Sequence, residues 1–258
     1  MNVLPDLSIL PVFMLVFTRC SAFLVASPLF AIPGIPPVVK SGFAFILAVI
    51  IYPLAARPGL TAADSLWGYG LMVLSEAAVG LAMGIVCTMV FNALRMAGQM
   101  IDLQIGYAMS QMMDPVSGSM NTLLGRFLYF LSLAALLCMD GHHGLIWGLA
   151  KSYQVLPLNS AEMSGDVAVF VIRVFADTIT MALKVAIPVI SVLLMTDIAL
   201  GVMGRTAPQM NIFMLGFPFK IMLGLVSLAV LLPLMGSILA AVFDRMQKDL
   251  ILLVKGLS

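Results

Sequence analysis

Charge is the scarcest property of this sequence. Only 10% of its 258 residues are Asp, Glu, Lys or Arg, against roughly 25% in an average soluble domain. With 62% hydrophobic residues and a mean hydropathy of +1.12, a water-soluble fold is excluded, because no core of this size hides so much apolar surface. The 13 basic residues are scattered singly and the net charge is +1, so no basic face exists for a phosphate backbone and nucleic acid is not an expected partner. Cysteine is equally sparse. Cys20, Cys87 and Cys138 lie inside apolar runs without a CxxC pair, which argues against a disulfide framework or a cysteine-based zinc site. The two histidines, His142 and His143, are adjacent. On a helix they would point about 100° apart and miss the i,i+4 spacing of a paired metal site. Flanked by Gly141 and Gly144, they read as a loop, so neither a metal nor a catalytic role is expected. No GxSxG, HExxH, P-loop or dinucleotide fingerprint is present; an enzyme is not expected, nor is a cofactor.

What is present is length without interruption. Six apolar blocks run from Leu7 to Ile32, Val38 to Ala56, Leu66 to Val90, Thr122 to Met139, Val167 to Leu200 and Ile212 to Phe243, most of them at or above the ~20 residues that span a bilayer. Backbone groups in lipid must be paired internally, so these blocks are expected to be helices. The breakers between them are Pro33, Pro36 and Pro37, then Pro53 and Pro58, the Gly106 to Asn121 segment, Gly141, Gly144 and Pro157, and finally Gly201 to Pro208. The fold class is all-α: a polytopic membrane protein of hydrophobic helical hairpins, forming a single domain over residues 1–258. Met1 to Pro11 contains no Lys or Arg and carries Asp6, a pattern expected of a retained segment rather than a cleaved signal. Lys and Arg in the loops divide five against six between the two sides, so the positive-inside rule gives no orientation. A miscounted span and an arrangement other than a simple zigzag both remain open.

The third block has no proline between Pro58 and Pro115. A helix from Leu66 could therefore reach Gln104, about 58 Å, nearly twice the hydrocarbon thickness. Along it Glu76, Gly80, Gly84, Thr88, Asn92, Arg95, Gln99 and Asp102 recur at steps of three or four, placing small and polar groups on one face. That face should meet a partner helix, within the chain or in another subunit, because Gly80 and Gly84 allow close backbone approach and the polar members avoid lipid. Glu76, Gly80, Gly84, Asn92, Arg95, Gln99 and Asp102 are accordingly expected at a subunit interface. Arg19, Glu76, Lys184 and Asp197 interrupt apolar blocks. Exposed to lipid they would cost on the order of 10 kcal/mol together, so each needs protein or water beside it. Arg19 and Glu76 have no partner nearby in sequence; interhelical pairing and a transporter's relay or substrate site are the two readings. Arg173 and Asp177 stand at i,i+4 and can neutralise each other.

Two segments are too polar and breaker-rich to span lipid. The first, Gly106 to Asn121, carries Met109, Met112, Met113 and Met120 beside Asp114-Pro115; thioether side chains suit an irregular seal. The second, Gly201 to Lys220, is punctuated by glycines and prolines around Arg205, Gln209 and Asn211 and is expected to form a polar turn. Within it the string Gly204-Arg205-x-Ala207-Pro208-Gln209-x-Asn211-x-Phe213-x-x-Gly216-Phe217-Pro218 resembles the signature of the FliR/SctT family of type III secretion export-gate proteins. Ala97-Gly98 followed by Asp102 and Gln104-x-Gly106, the Asp114-Pro115 pair and Gly141-His142 match the same family in order and spacing. Gln99 stands where some members carry Glu.

The resemblance implies a place in the flagellar basal body, in the bacterial inner membrane. It implies assembly of one copy with five FliP and four FliQ subunits into a closed helical cone, with FlhB embracing the entrance and unfolded flagellar proteins in transit. It further implies that the loop holding Gly106, Met109, Met112, Met113, Asp114 and Pro115 plugs the pore. Gly204, Arg205, Pro208, Gln209, Asn211, Gly216 and Pro218 are the signature residues. Secondary transport is the alternative, though it predicts internal repeats that are not visible.

Overall fold

The computed structural model describes residues 9–30, 34–55, 65–107, 122–161, 165–207, 209 and 212–257. Seven helices fill them: α1 (Ile9–Ala26), α2 (Pro37–Ala55), α3 (Leu66–Ile105), α4 (Leu123–Cys138), α5 (Gly141–Val155), α6 (Gly165–Thr206) and α7 (Ile212–Gly256). No strand occurs among the described residues, as expected where lipid offers the backbone no hydrogen bonds. Five helices are long and apolar enough to cross a membrane, and α4 with α5, taken as one broken span, make a sixth candidate.

The uninterrupted α3 spans 40 residues, matching the sequence expectation. It ends at Gly106, whose φ of +96° suits a residue without Cβ, and whose N–H donates back to the carbonyls of Asp102 and Leu103 at 3.1 and 3.2 Å. Three expectations are corrected. Residues 141–155 form helix α5 rather than a loop; His142, His143 and Lys151 dilute its hydropathy below what a spanning-block reading detects. The sixth block extends to Gly256, carried past Phe243 by a turn in which Lys248 donates to Asp244 Oδ2 at 2.9 Å. The second polar loop is far shorter than residues 201–220. Helix α6 continues through Gly201 to Thr206, α7 resumes at Ile212, and Pro218 lies inside α7. Pro53, Pro188 and Pro233 are likewise interior to helices. In an apolar solvent, opening the helix would expose several backbone groups, which costs more than the one hydrogen bond each proline removes.

The chain divides into two compact units, each assembled from distant segments. The first comprises residues 1–89, 140–174 and 243–258. Its core is drawn from Leu15, Val16, Cys20 and Phe23 of α1, Ala44, Ala48 and Ile51 of α2, Met83 and Cys87 of α3, and Leu145, Leu149 and Tyr153 of α5. Helix α2 packs on α1 and α5, with Phe13 edge-on to Phe45 at 5.4 Å. The second comprises residues 90–139 and 175–242, with Phe91, Leu94, Ala97 and Ile101 of α3, Leu128 and Leu136 of α4, and Ala182, Ala186, Val189 and Leu193 of α6 in its core.

Candidate functional site

In the first unit the two unpaired charges of the sequence meet. Arg19 on α1 and Glu76 on α3 are both fully buried, with Nε 2.5 Å from Oε2. The guanidinium Nη1 also donates to the Leu156 carbonyl at 3.0 Å and to Ser152 Oγ at 3.3 Å. Its carbon lies 4.4 Å from the centroid of the Tyr153 ring, within cation–π range. The other Glu76 oxygen accepts the Asn159 N–H at 3.0 Å. Asn159 sits at φ +60°, a left-handed conformation that Asn tolerates better than most side chains. Tyr153 completes the group by donating to the Val16 carbonyl at 3.0 Å. Three chain segments far apart in sequence thus converge on one ion pair, closed to solvent and presenting no group to a substrate. Such a pair adds little net stability against an apolar alternative, but removing one partner costs about 3–5 kcal/mol.

The same face of α3 lies directly on α1. A Cβ at Gly80 would stand 2.5 Å from the Arg19 carbonyl oxygen, and one at Gly84 would stand 2.5 Å from Ala26 Cβ and 2.8 Å from the Phe23 oxygen. Thr88 Oγ1 donates to the Ala26 carbonyl. Within this chain, Glu76, Gly80 and Gly84 therefore pack against α1.

In the second unit Asp102, fully buried on α3, accepts the N–H groups of Leu124 and Gly125 at 2.8 and 3.2 Å. These belong to the first turn of α4, whose own N-cap, Thr122, makes no side-chain cap. The carboxylate supplies the missing cap from another helix and faces the positive end of the α4 dipole. Close approach again depends on glycine: a Cβ at Gly98 would fall 2.5 Å from the Gly125 Cα, and one at Gly125 would meet Gln99 Cγ and the Arg95 carbonyl at 3.0 and 3.1 Å. Within this chain Asp102, Gln99 and the Arg95 carbonyl thus lie against the start of α4, while Asn92 is half-buried.

Asp197 on α6 forms an ion pair with Lys220 on α7, and Gln104 Nε2 donates to Asp197 Oδ2 at 3.0 Å. These three side chains border a cavity of about 630 Å³ together with Gly106, Gly201, Gly204, Gly216 and Phe217. Of the signature residues, Gly204 and Arg205 lie in the last turn of α6, Gln209 is exposed in the turn, and Gly216 and Pro218 lie in α7. Pro208 and Asn211 fall outside the described residues, as do Met109, Met112, Met113, Asp114 and Pro115; of the expected plug only Gly106 is described. Lys184 is exposed on α6. Sequence reasoning missed Lys220 as the partner of Asp197. The signal was available, since Lys220 is the one cation in the apolar stretch between Ile212 and Phe243.

Comparison with known proteins supplies the last observation. The family described as bacterial export proteins, family 1, matches residues 10–246. The chain is 36% identical over 247 residues to the flagellar biosynthetic protein FliR of Bacillus subtilis (strain 168), covering 95% of this chain and 94% of that protein. It is 31% identical to the protein of the same name from Pectobacterium carotovorum subsp. carotovorum over 84% of this chain and 83% of the relative. It is 28% identical to that of Escherichia coli (strain K12) over 88% and 86%.

Proposed function

Since the chain belongs to the bacterial export proteins, family 1, alongside flagellar biosynthetic proteins FliR, we propose that it is a subunit of the flagellar protein export gate. At the coarser level it is a multi-pass membrane protein of the flagellar biosynthesis and export apparatus. The proposal adds that it assembles in the inner membrane with FliP and FliQ, that FlhB borders the entrance, and that unfolded flagellar proteins pass through the assembled pore. The segment with Met109, Met112, Met113, Asp114 and Pro115 closes that pore at rest.

One observation carries this reading: the likeness extends over residues 10–246, a range that takes in Arg19, Glu76, Asp102, Asp197 and Lys220. The surface agrees with it. Only 28% of the most apolar window is buried in each of α2, α6 and α7, so wide apolar faces remain for lipid and for neighbouring subunits. Secondary transport loses its main support, because Arg19 and Glu76 neutralise each other in a closed site instead of facing a substrate. Native mass spectrometry of the complex isolated through this chain is the test. An assembly of fixed stoichiometry with one copy of this chain beside FliP and FliQ is the expected result, and recovery as a lone monomer from cells expressing all three overturns it.

A further inference from the structure

Among the described residues one cluster combines three metal-ligating side chains, at the start of α5: Asp140, His142 and His143. The adjacent histidines ought to diverge on a regular helix, yet their ring centroids are 4.2 Å apart and tilted by 34°. His143 Nδ1 lies 3.6 Å from Asp140 Oδ1. Both histidines sit in the first turn of α5, where no preceding turn confines their rotamers, and Asp140 immediately before it occupies the left-handed region at φ +56°. One ligand atom from each residue falls within 4.8 Å of the other two.

We propose that Asp140, His142 and His143 bind a divalent transition-metal ion of the zinc, nickel or copper class. In a tetrahedral zinc site with metal–ligand bonds of about 2.0–2.2 Å, ligand atoms stand roughly 3.3 Å apart. The Asp140–His143 pair is already near that separation. The remaining gaps close by side-chain rotation, since the side chains of His143 and Asp140 are 72% and 76% exposed. A second observation points the same way. His142 Nδ1 is closed to solvent and has no hydrogen-bond partner, so a lone pair there is available to an ion seated among these groups.

Two imidazoles and one carboxylate suit borderline metals rather than magnesium or calcium, which require more oxygen ligands. Three protein ligands leave a coordination position open. The positive end of the α5 dipole opposes a cation, and the Asp140 carboxylate offsets it. The ion would tie Asp140, the residue that precedes α5, to the first turn of that helix. This inference is independent of the gate reading.

The test uses the full chain in detergent, purified through a tag without histidine, stripped with a chelator and titrated with Zn²⁺ against a chromophoric competitor. One ion per chain is expected, with at least a tenfold weaker affinity in Asp140→Asn and in His143→Ala. The chain has only two histidines, so His142→Ala/His143→Ala removes every imidazole. Cys138, an exposed thiol two residues upstream in the sequence, is the competing ligand, and Cys138→Ser is expected to leave affinity within threefold. Unchanged size-exclusion behaviour identifies variants that retain the fold. Absence of stoichiometric binding by the parent chain, equal affinity in parent and Asp140→Asn/His143→Ala, or loss of binding in Cys138→Ser alone would each overturn the proposal.

Discussion

At the residue scale, the decisive feature is that opposite charges 57 positions apart neutralise each other away from lipid. Neither Arg19 nor Glu76 is tolerable alone, for each would leave an uncompensated charge among Leu15, Phe23 and Met83, all buried in the same unit. Single substitutions Arg19→Met and Glu76→Met are each expected to destabilise the chain by about 3–5 kcal/mol. The double variant Arg19→Met/Glu76→Met should cost less than either, since no charge remains to be buried. Thermal unfolding in detergent, arranged as a double-mutant cycle, measures the coupling; additive losses would show that the pair is not one unit. The backbone partners of the network, the Leu156 carbonyl and the Asn159 N–H, have no signature in side-chain chemistry, which is why the sequence pointed to interhelical pairing without naming the turn that completes it.

At the element scale, α3 organises both units through glycines that remove side chains where another backbone passes. The contrast among glycines makes this testable. At Gly80 and Gly98 a methyl group would strike backbone atoms at 2.5 Å, whereas at Gly42 and Gly70 it would meet nothing within 4 Å. Gly80→Ala and Gly98→Ala are expected to destabilise by about 1–3 kcal/mol through overpacking. Gly42→Ala and Gly70→Ala should be neutral or stabilising by up to about 1 kcal/mol, because alanine is the better helix former. Equal thermal midpoints for all four variants would contradict the close approaches. A GxxxG step was legible at Gly80 and Gly84; the Gly98–Gly125 contact was not, because its two halves sit on different helices and neither carries a repeat.

At the scale of the whole molecule, α2, α6 and α7 leave wide apolar faces, which the proposed assembly would cover with lipid and other subunits. The proposed seal is testable only in that assembly. Deleting Met109 to Met113 is expected to leave complex abundance largely unchanged while making the membrane measurably more conductive to small ions. The reason is that deformable thioether contacts exclude ions yet are individually weak enough to part for a polypeptide. Conductance or ion-sensitive growth at matched abundance is the measurement. Leakage equal to that of the parent would move the seal to another subunit.

The amino-acid sequence alone determined the solvent, the helical class, the length of α3 and the family string around Arg205 to Pro218. Each of these is written locally, in hydropathy, in the spacing of breakers and in residue order, and needs no knowledge of what lies across the molecule. The tertiary structure alone decided which groups meet: Arg19 with Glu76, Asp102 with the first turn of α4, Asp197 with Lys220, and Asp140 with the two histidines. Periodicity states which face of a helix avoids lipid. It does not state the rotation and height at which two helices dock, and those two quantities decide which charge, cap or ligand is within reach.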